Sequence, residues 1–280
     1  MAIRVEVAAV AAEAVGEGVS RRRLLDTERV PRTRILLDRI EIAPGAALAL
    51  EVAEGSLAWF QILAGTAEFS GSGVGGAAAL GADHVVFLPP GFRGRLASAA
   101  GAALIMAEAP EADALDSDFA ARPPALRILD WTREPVLDSE HDARKRIYLA
   151  TPRLFGTHAI KGEMIIYPPG TSGANHHHVG ADHFMYFLKG SGTAYADERP
   201  FRVKAGDLVY YPDLERHYLA ADPDCEMAFV EFFAPGSYRT VWVNPETVCT
   251  WNPTGRDIRG NAGVRAIARH GGEAATPSDV

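Results

Sequence analysis

Five of the nine histidines fall between residues 176 and 217, and their spacing is that of a metal site. The core text is Gly170-Thr-Ser-Gly-Ala-Asn-His176-His177-His178-Val-Gly-Ala-Asp-His183. Along a strand, side chains alternate faces, so His176 and His178 share one face and His177 points the other way. His183 follows a glycine-containing turn that lets the chain reverse and bring it beside the first pair. His217 arrives later, after a further strand and the Pro212 turn. Converging imidazoles suit borderline divalent ions. The expected ligands are His176, His178, His183 and His217. Iron(II) or manganese(II) is favoured, one ion per chain, with nickel, copper and zinc as alternatives. An expression tag is a poor explanation for a cluster lying between strand signals.

The elements that must position these residues read as strands. Short apolar or alternating runs recur from about residue 34 to 109, as in Leu57-Ala-Trp-Phe-Gln-Ile-Leu and His84-Val-Val-Phe-Leu. Glycine, proline and alanine clusters separate them, which is the signal for an all-β sandwich or barrel. An acidic, proline-bearing stretch follows and has no strand character, so residues 111–127 read as a linker. The β pattern then resumes in Glu163-Met-Ile-Ile-Tyr, His183-Phe-Met-Tyr-Phe-Leu and Met227-Ala-Phe-Val-Glu-Phe-Phe. The expected domains are 1–110, the linker 111–127, and 128–280 with a C-terminal tail. Residues from Gly271 onward read as disordered.

The two halves resemble each other, as a duplicated fold would. Pro44-Gly45 opens a segment that reaches Gly65, and Pro169-Gly170 opens one that reaches Gly190; both glycine separations are 20 residues. Each half then has a strand ending in proline, at Pro89 and at Pro212.

The histidine run resembles the first motif of the cupin superfamily, G-x5-H-x-H-x(3,4)-E-x6-G, with Gly170, His176, His178 and Gly190 in the matching places. The second motif, G-x5-P-x-G-x2-H-x3-N, is matched at Gly206, Pro212 and His217. The resemblance implies a bicupin: all-β, with two jelly-roll (double-stranded β-helix) barrels in one chain. Three positions depart from the pattern. His183 stands where the family has glutamate, Leu214 where it has glycine and Ala221 where it has asparagine. Histidine at 183 keeps a ligand but removes a negative charge, so the bound ion is more positive and a stronger Lewis acid toward anionic or enolisable oxygen. No ligand carboxylate is then left to act as base. In the first half the ligand places fall on Glu51, Ala53, Ala58 and Gly94, and His84 is out of position. The N-terminal barrel is therefore expected to be degenerate and metal-free, serving packing or dimerisation.

Strand parity from His183 puts Met185 and Phe187 on the interior face and Tyr186 on the other. These two side chains make an apolar pocket for a small chelating organic substrate, or simply barrel core. Tyr167, Tyr210, Tyr211 and Glu231 are within reach as proton donors or acceptors. The aromatics of the tail from Val241 to Asp257 are available to cover the barrel mouth or to pack on the other domain.

Bulk properties narrow the field further. Almost half of the 280 residues are apolar and the formal charge is -8. An acidic chain is a poor partner for nucleic acid or an anionic membrane, and Arg21-Arg22-Arg23 is too short to change that. Cys225 and Cys249 read as reduced thiols of a cytoplasmic protein. The chain has no signal-peptide pattern at its start and no apolar run of the roughly 20 residues needed to span a membrane. The expected partners are a small-molecule substrate and a second copy in a homodimer.

Three functions compete. The first is a metal-dependent dioxygenase on a small aromatic or dicarbonyl-type substrate, since an all-histidine site with open positions can take substrate and dioxygen together. The second is non-redox chemistry by an isomerase, lyase or hydrolase, for which the ureidoglycine aminohydrolases are bicupins with one C-terminal metal. Their carboxylate or amide ligands differ from the set here. The third is a non-catalytic metal or ligand-binding cupin.

Overall fold

The structure, a computed structural model, describes residues 1–270 and Val280. The tail read as disordered falls, apart from Val280, outside the described residues. Among the described residues the regular secondary structure is almost wholly antiparallel strand, in two compact units. Each unit has one larger and one smaller sheet, the two-sheet jelly-roll arrangement. No helix among the described residues is long and apolar enough to cross a membrane.

One unit comprises Val7–Trp131 and Phe155–Ala159. Its seven-stranded sheet runs through strands Arg127–Asp130, His84–Leu88, Leu57–Gly65, Ala102–Ala109, Leu36–Ile42, Val19–Leu25 and Glu13–Gly16, in that spatial order. The four-stranded sheet holds Ala47–Glu51, Arg93–Ala97, Ala67–Gly71 and Ala78–Leu80. Apolar residues at alternate positions, among them Ile40, Phe60, Ile62, Phe69, Val86 and Leu104, form the core of this unit. The stretch 111–127 belongs to this unit, with a helical turn at Ala112–Leu115. After that turn, buried Asp116 accepts hydrogen bonds from Thr157 Oγ1 (2.7 Å) and the His158 amide (2.8 Å).

The places that would carry ligands in this unit are occupied otherwise. Phe92 stacks on Phe69 with ring centroids 5.6 Å apart, and a Cβ added at Gly94 would meet the Phe92 ring at 2.6 Å. Glu51 is exposed and pairs with Arg93 at 2.6 Å. His84 accepts a hydrogen bond at Nδ1 from the Gly81 amide (3.1 Å), and Ala53 and Ala58 have no donor atom to offer.

The other unit comprises Met1–Glu6, Thr132–Leu154 and the chain from Ile160 onward. Its eight-stranded sheet runs Ile3–Glu6, Asp207–Tyr211, Asp182–Lys189, Met227–Ala234, Lys161–Tyr167, Lys145–Ala150, Val136–Ser139 and Trp251–Pro253. The five-stranded sheet runs Arg199–Lys204, Ser191–Ala196, His217–Ala221, His176–Val179 and Arg239–Trp242.

The repeated glycine spacing has a structural cause. Gly65 and Gly190 have φ of 74° and 72°, the left-handed region that an L side chain rarely enters. A Cβ on Gly65 would lie 2.1 Å from the Gly101 carbonyl oxygen, and one on Gly190 would lie 2.0 Å from that of Glu226. In each unit the backbone passes so close at this strand junction that only glycine fits. Gly190→Ala is expected to lower stability by at least about 2 kcal/mol, combining left-handed strain with a clash that backbone cannot yield to. The urea midpoint against wild type measures it, and an unchanged midpoint would contradict the close approach.

Candidate metal centre

The histidines are brought together by pairing in the five-stranded sheet and by the facing strand of the eight-stranded one. The short His176–Val179 strand lies between two neighbours: His176 is in register with His217 on one side and Trp242 on the other, while His178 is opposite Thr240. Ring centroids are 4.4 Å apart for His176 and His217, 4.9 Å for His176 and His178, and 5.1 Å for His178 and His217. His183 enters from Asp182–Lys189, with its ring centroid 4.9 Å from His178 and 4.8 Å from His217. His176, His178 and His217 form the tightest group, with donor nitrogens all within 4.8 Å of one another. Two nitrogens each about 2.1 Å from an ion are at most about 4.2 Å apart, so a small closure suffices to hold one. His183 stands just outside this trio.

Hydrogen bonds orient three of the rings. The Nδ1 atoms of His176 and His217 lie 2.8 Å from the Ala174 and Glu215 carbonyl oxygens, to which they donate. His178 Nδ1 is 3.0 Å from Thr240 Oγ1. With Nδ1 so engaged, Nε2 is the free donor atom, the arrangement that fixes a ligand's tautomer and orientation. His217 Nε2 and both ring nitrogens of His183 are buried and have no protein hydrogen-bond partner. Orphaned buried nitrogens of this kind are costly unless something binds them. A divalent ion fits the donor set: His176, His178 and His217 could hold it, with His183 beside them.

Burial keeps the set ready. It pushes His176, His178 and His183 well below the ordinary histidine range, with the positive charges of neighbouring rings adding to the effect. Burial likewise takes His217 down to about 4. Near neutral pH all four are uncharged, as metal ligands must be. The loop that delivers His217 is tied to the same strand, because the Leu214 amide donates to the His178 carbonyl (2.9 Å). Leu214 has φ of 70°, so the leucine that replaces the motif's glycine still adopts glycine's backbone conformation, with strain.

Beneath the histidines the interior face of the eight-stranded sheet is arranged in cross-strand rows. One row is Tyr211, His183, Phe233 and Lys161; the next is Met185, Glu231, Glu163 and Tyr148; the third is Phe187, Phe229, Ile165 and Arg146. Same-face residues two apart on a strand are about 7 Å apart, so Glu231 lies one such step from the His183 row. A cavity of about 40 Å³ joins the two levels. His176, His178 and His217 line it with Met185, Tyr167, Glu231, Glu163, Arg144 and Arg146.

The pocket residues read from sequence are placed as follows. Met185, Tyr167 and Glu231 line the cavity, whereas Phe187 packs in the barrel core. Tyr211 is fully buried and stacks on His183 (5.3 Å) and His217 (4.4 Å). Tyr210 points to the opposite face, where its hydroxyl donates to Asp182 (2.8 Å). From the aromatic tail, Trp242 sits 5.0 Å from His176 and Trp251 lies under Arg146 at 4.2 Å, both lining the cavity. Arg144, Arg146, Lys161, Glu163 and Tyr238 were not singled out in sequence. Parity was the available signal: 161 and 163 share a face with Tyr167, and 144 and 146 alternate just as regularly.

The two buried glutamates behave oppositely. Glu163 is 1% exposed, 3.2 Å from Arg146 and 3.9 Å from Lys161. Burial raises its pKa, but those two cations more than offset this and hold it ionised. For Glu231, burial first, then the Glu163 charge and a hydrogen bond between the carboxyls, push the pKa far above the usual carboxylate range. Glu231 is therefore the protonated member of the pair, a neutral acid one row from the histidines.

Residues 163–233 match the family model for the cupin domain. Among solved structures, several mutants of Bacillus subtilis oxalate decarboxylase share the fold. A deletion mutant is 17% identical, with 86% of this chain and 79% of that one covered at a TM-score of 0.67. A point mutant is 15% identical, with 87% and 81% covered at 0.68. A third, from work on the Mn(II) centres of that enzyme, is 15% identical, with 86% and 79% covered at 0.67. At these identities the likeness is one of fold. A comparison with curated proteins finds no match.

Proposed function

Because residues 163–233 are a cupin domain in a chain of bicupin-like fold, we propose that this protein is a metal-dependent enzyme performing proton-transfer chemistry on a small oxygen-rich substrate, as a lyase or decarboxylase. The observation that carries this reading is a protonated carboxyl, Glu231, lining the same cavity as the histidine trio. His176, His178, His217 and His183 would hold manganese(II) or iron(II), which supplies Lewis acidity toward a bound oxygen. The chain's own residues do the rest. When a carbon–carbon bond to a carboxylate breaks, its electron pair stays on the remaining carbon, which must take a proton. Glu231 would give that proton and be left ionised until water restores it. Arg146 and Lys161 keep Glu163 ionised, and this charge in turn keeps the Glu231 proton in place.

Cavity size also bears on the substrate. A dry cavity of roughly 150 Å³ accommodates benzene, and this one measures about 40 Å³. A compact dicarbonyl or dicarboxylate suits it better than an aromatic ring. Oxalate is the first substrate to try, given the decarboxylases that share the fold. Glu231→Gln is expected to cut turnover about 100-fold or more while leaving metal content unchanged. Full turnover by that variant would sink the reading.

A second reading, a dioxygenase on a dicarbonyl-type substrate, is favoured by the imidazole-only donor set, which leaves coordination positions open for substrate and dioxygen. Turnover under strict anaerobiosis separates the two: the lyase continues and the dioxygenase stops.

A further inference from the structure

The charges around Glu231 do not balance when it is protonated. Lys161, Arg146 and Arg144 are cations, and among the described residues the carboxylates that answer them are Asp142 and Glu163, with Cys249 Sγ also accepting from Arg144 at 3.0 Å. Arg144 is committed to Asp142, whose carboxylate takes both its Nε (2.9 Å) and a terminal nitrogen (2.8 Å). That leaves Arg146 and Lys161 sharing one carboxylate, Glu163. Burial opposes the charge on both, but Glu163 and the nearby phenols more than offset it, so both remain cations. Arg146 Nε is buried without a hydrogen-bond partner, as is one oxygen of Glu163. An unmatched positive charge inside a barrel is costly. It is relieved either by ionising Glu231 or by admitting an anion.

We propose that the cavity takes its ligand as a carboxylate anion, and that anion binding is coupled to one proton carried on Glu231. The proposal rests on the reading of Glu231 as the proton carrier and adds the ligand's charge to it. With Glu231 ionised the side-chain charges of the cluster cancel, and only an ion on the histidines would attract the anion; with Glu231 protonated the side chains add one unmatched positive charge to that attraction. The tyrosines and histidines around the cluster do not compete for that proton near neutral pH, and Cys249 Sγ, which also lines the cavity, accepts from Arg144 at 3.0 Å. Tyr148 and Tyr167 are held protonated by burial, their pKa values raised. The four histidines are held neutral, and His270, against Tyr148 Oη at 2.7 Å, is pushed by burial down to about 4. Tyr238, which accepts a hydrogen bond from Lys161 Nζ at 3.0 Å, faces the cavity from the other sheet's side.

The test is calorimetric titration of full-length, metal-loaded protein with oxalate from pH 6 to 9. Wild type is expected to lose affinity by about ten-fold per pH unit along the alkaline limb, the signature of one linked proton. Glu231→Gln is expected to bind with little pH dependence across the same range. Proton uptake by wild type, counted in two buffers of different ionisation enthalpy, gives the same answer without any variant. Absence of oxalate binding, a pH-independent wild type, or an unchanged slope in Glu231→Gln (placing the proton elsewhere, metal-bound water included) would each overturn the proposal. If Glu231→Gln keeps full turnover but loses the slope, the catalytic reading fails while the coupling stands.

Discussion

Replacing His178 by alanine is expected to strip the protein of stoichiometric metal. His178 is the central ring of the cluster, with contacts to His176, His183 and His217 at 4.9, 4.9 and 5.1 Å between centroids. Losing an outer partner that merely orients a ligand costs about 10–100-fold in metal affinity. Losing the ligand itself should cost at least about 100-fold. Elemental analysis of the purified variant is the measurement, and one metal per chain retained in His178→Ala would remove the centre from consideration. Thr240→Val gives a graded companion. It deletes the hydroxyl 3.0 Å from His178 Nδ1 without touching a ligand, so weakened rather than abolished binding is expected.

Metal-free protein should also become steeply less stable in mild acid. The four clustered histidines are neutral in the folded chain because burial holds their pKa values down. In the unfolded chain they return to about 6.5. Between those values the unfolded state binds more protons, so stability falls as pH falls. The stability is fully present above about pH 6.5 and drains away as pH approaches the folded values, which for His217 is about 4. That residue alone corresponds to about 3 kcal/mol across the window. Chemical denaturation at pH 7.5, 5.5 and 4.5 measures it. A variant lacking two of the histidines should show a shallower slope, and an equally steep one would place the effect elsewhere. Bound metal should steepen the loss further, since protons and metal compete for the same nitrogens.

The parts of this protein legible in its sequence are those governed by local rules. Alternation in a strand put His176 and His178 on one face, and the structure pairs them with His217 and Thr240. The equal spacing from Gly45 to Gly65 and from Gly170 to Gly190 reported a backbone requirement, because close approach of another strand forbids a side chain at Gly65 and Gly190. The cupin resemblance turned those local signs into a two-barrel fold, which the sheet order displays. Glu231 was visible as a polar residue in an apolar strand, and nothing in its own segment said whether it would be charged.

Tertiary structure decided the rest. Glu163 and Glu231 are 68 residues apart in sequence and meet only because their strands are neighbours in register. Arg146 and Lys161 join them from two strands whose interior faces close on the same cavity wall, and this convergence makes one glutamate an ion and the other an acid. It also set His183 apart from the tight trio, since its strand belongs to the opposite sheet. Residue types and spacing determined that four histidines would gather at one candidate metal centre. The charge state of the cavity beneath them depends on long-range pairing and burial, and neither quantity is written in any single stretch of the chain.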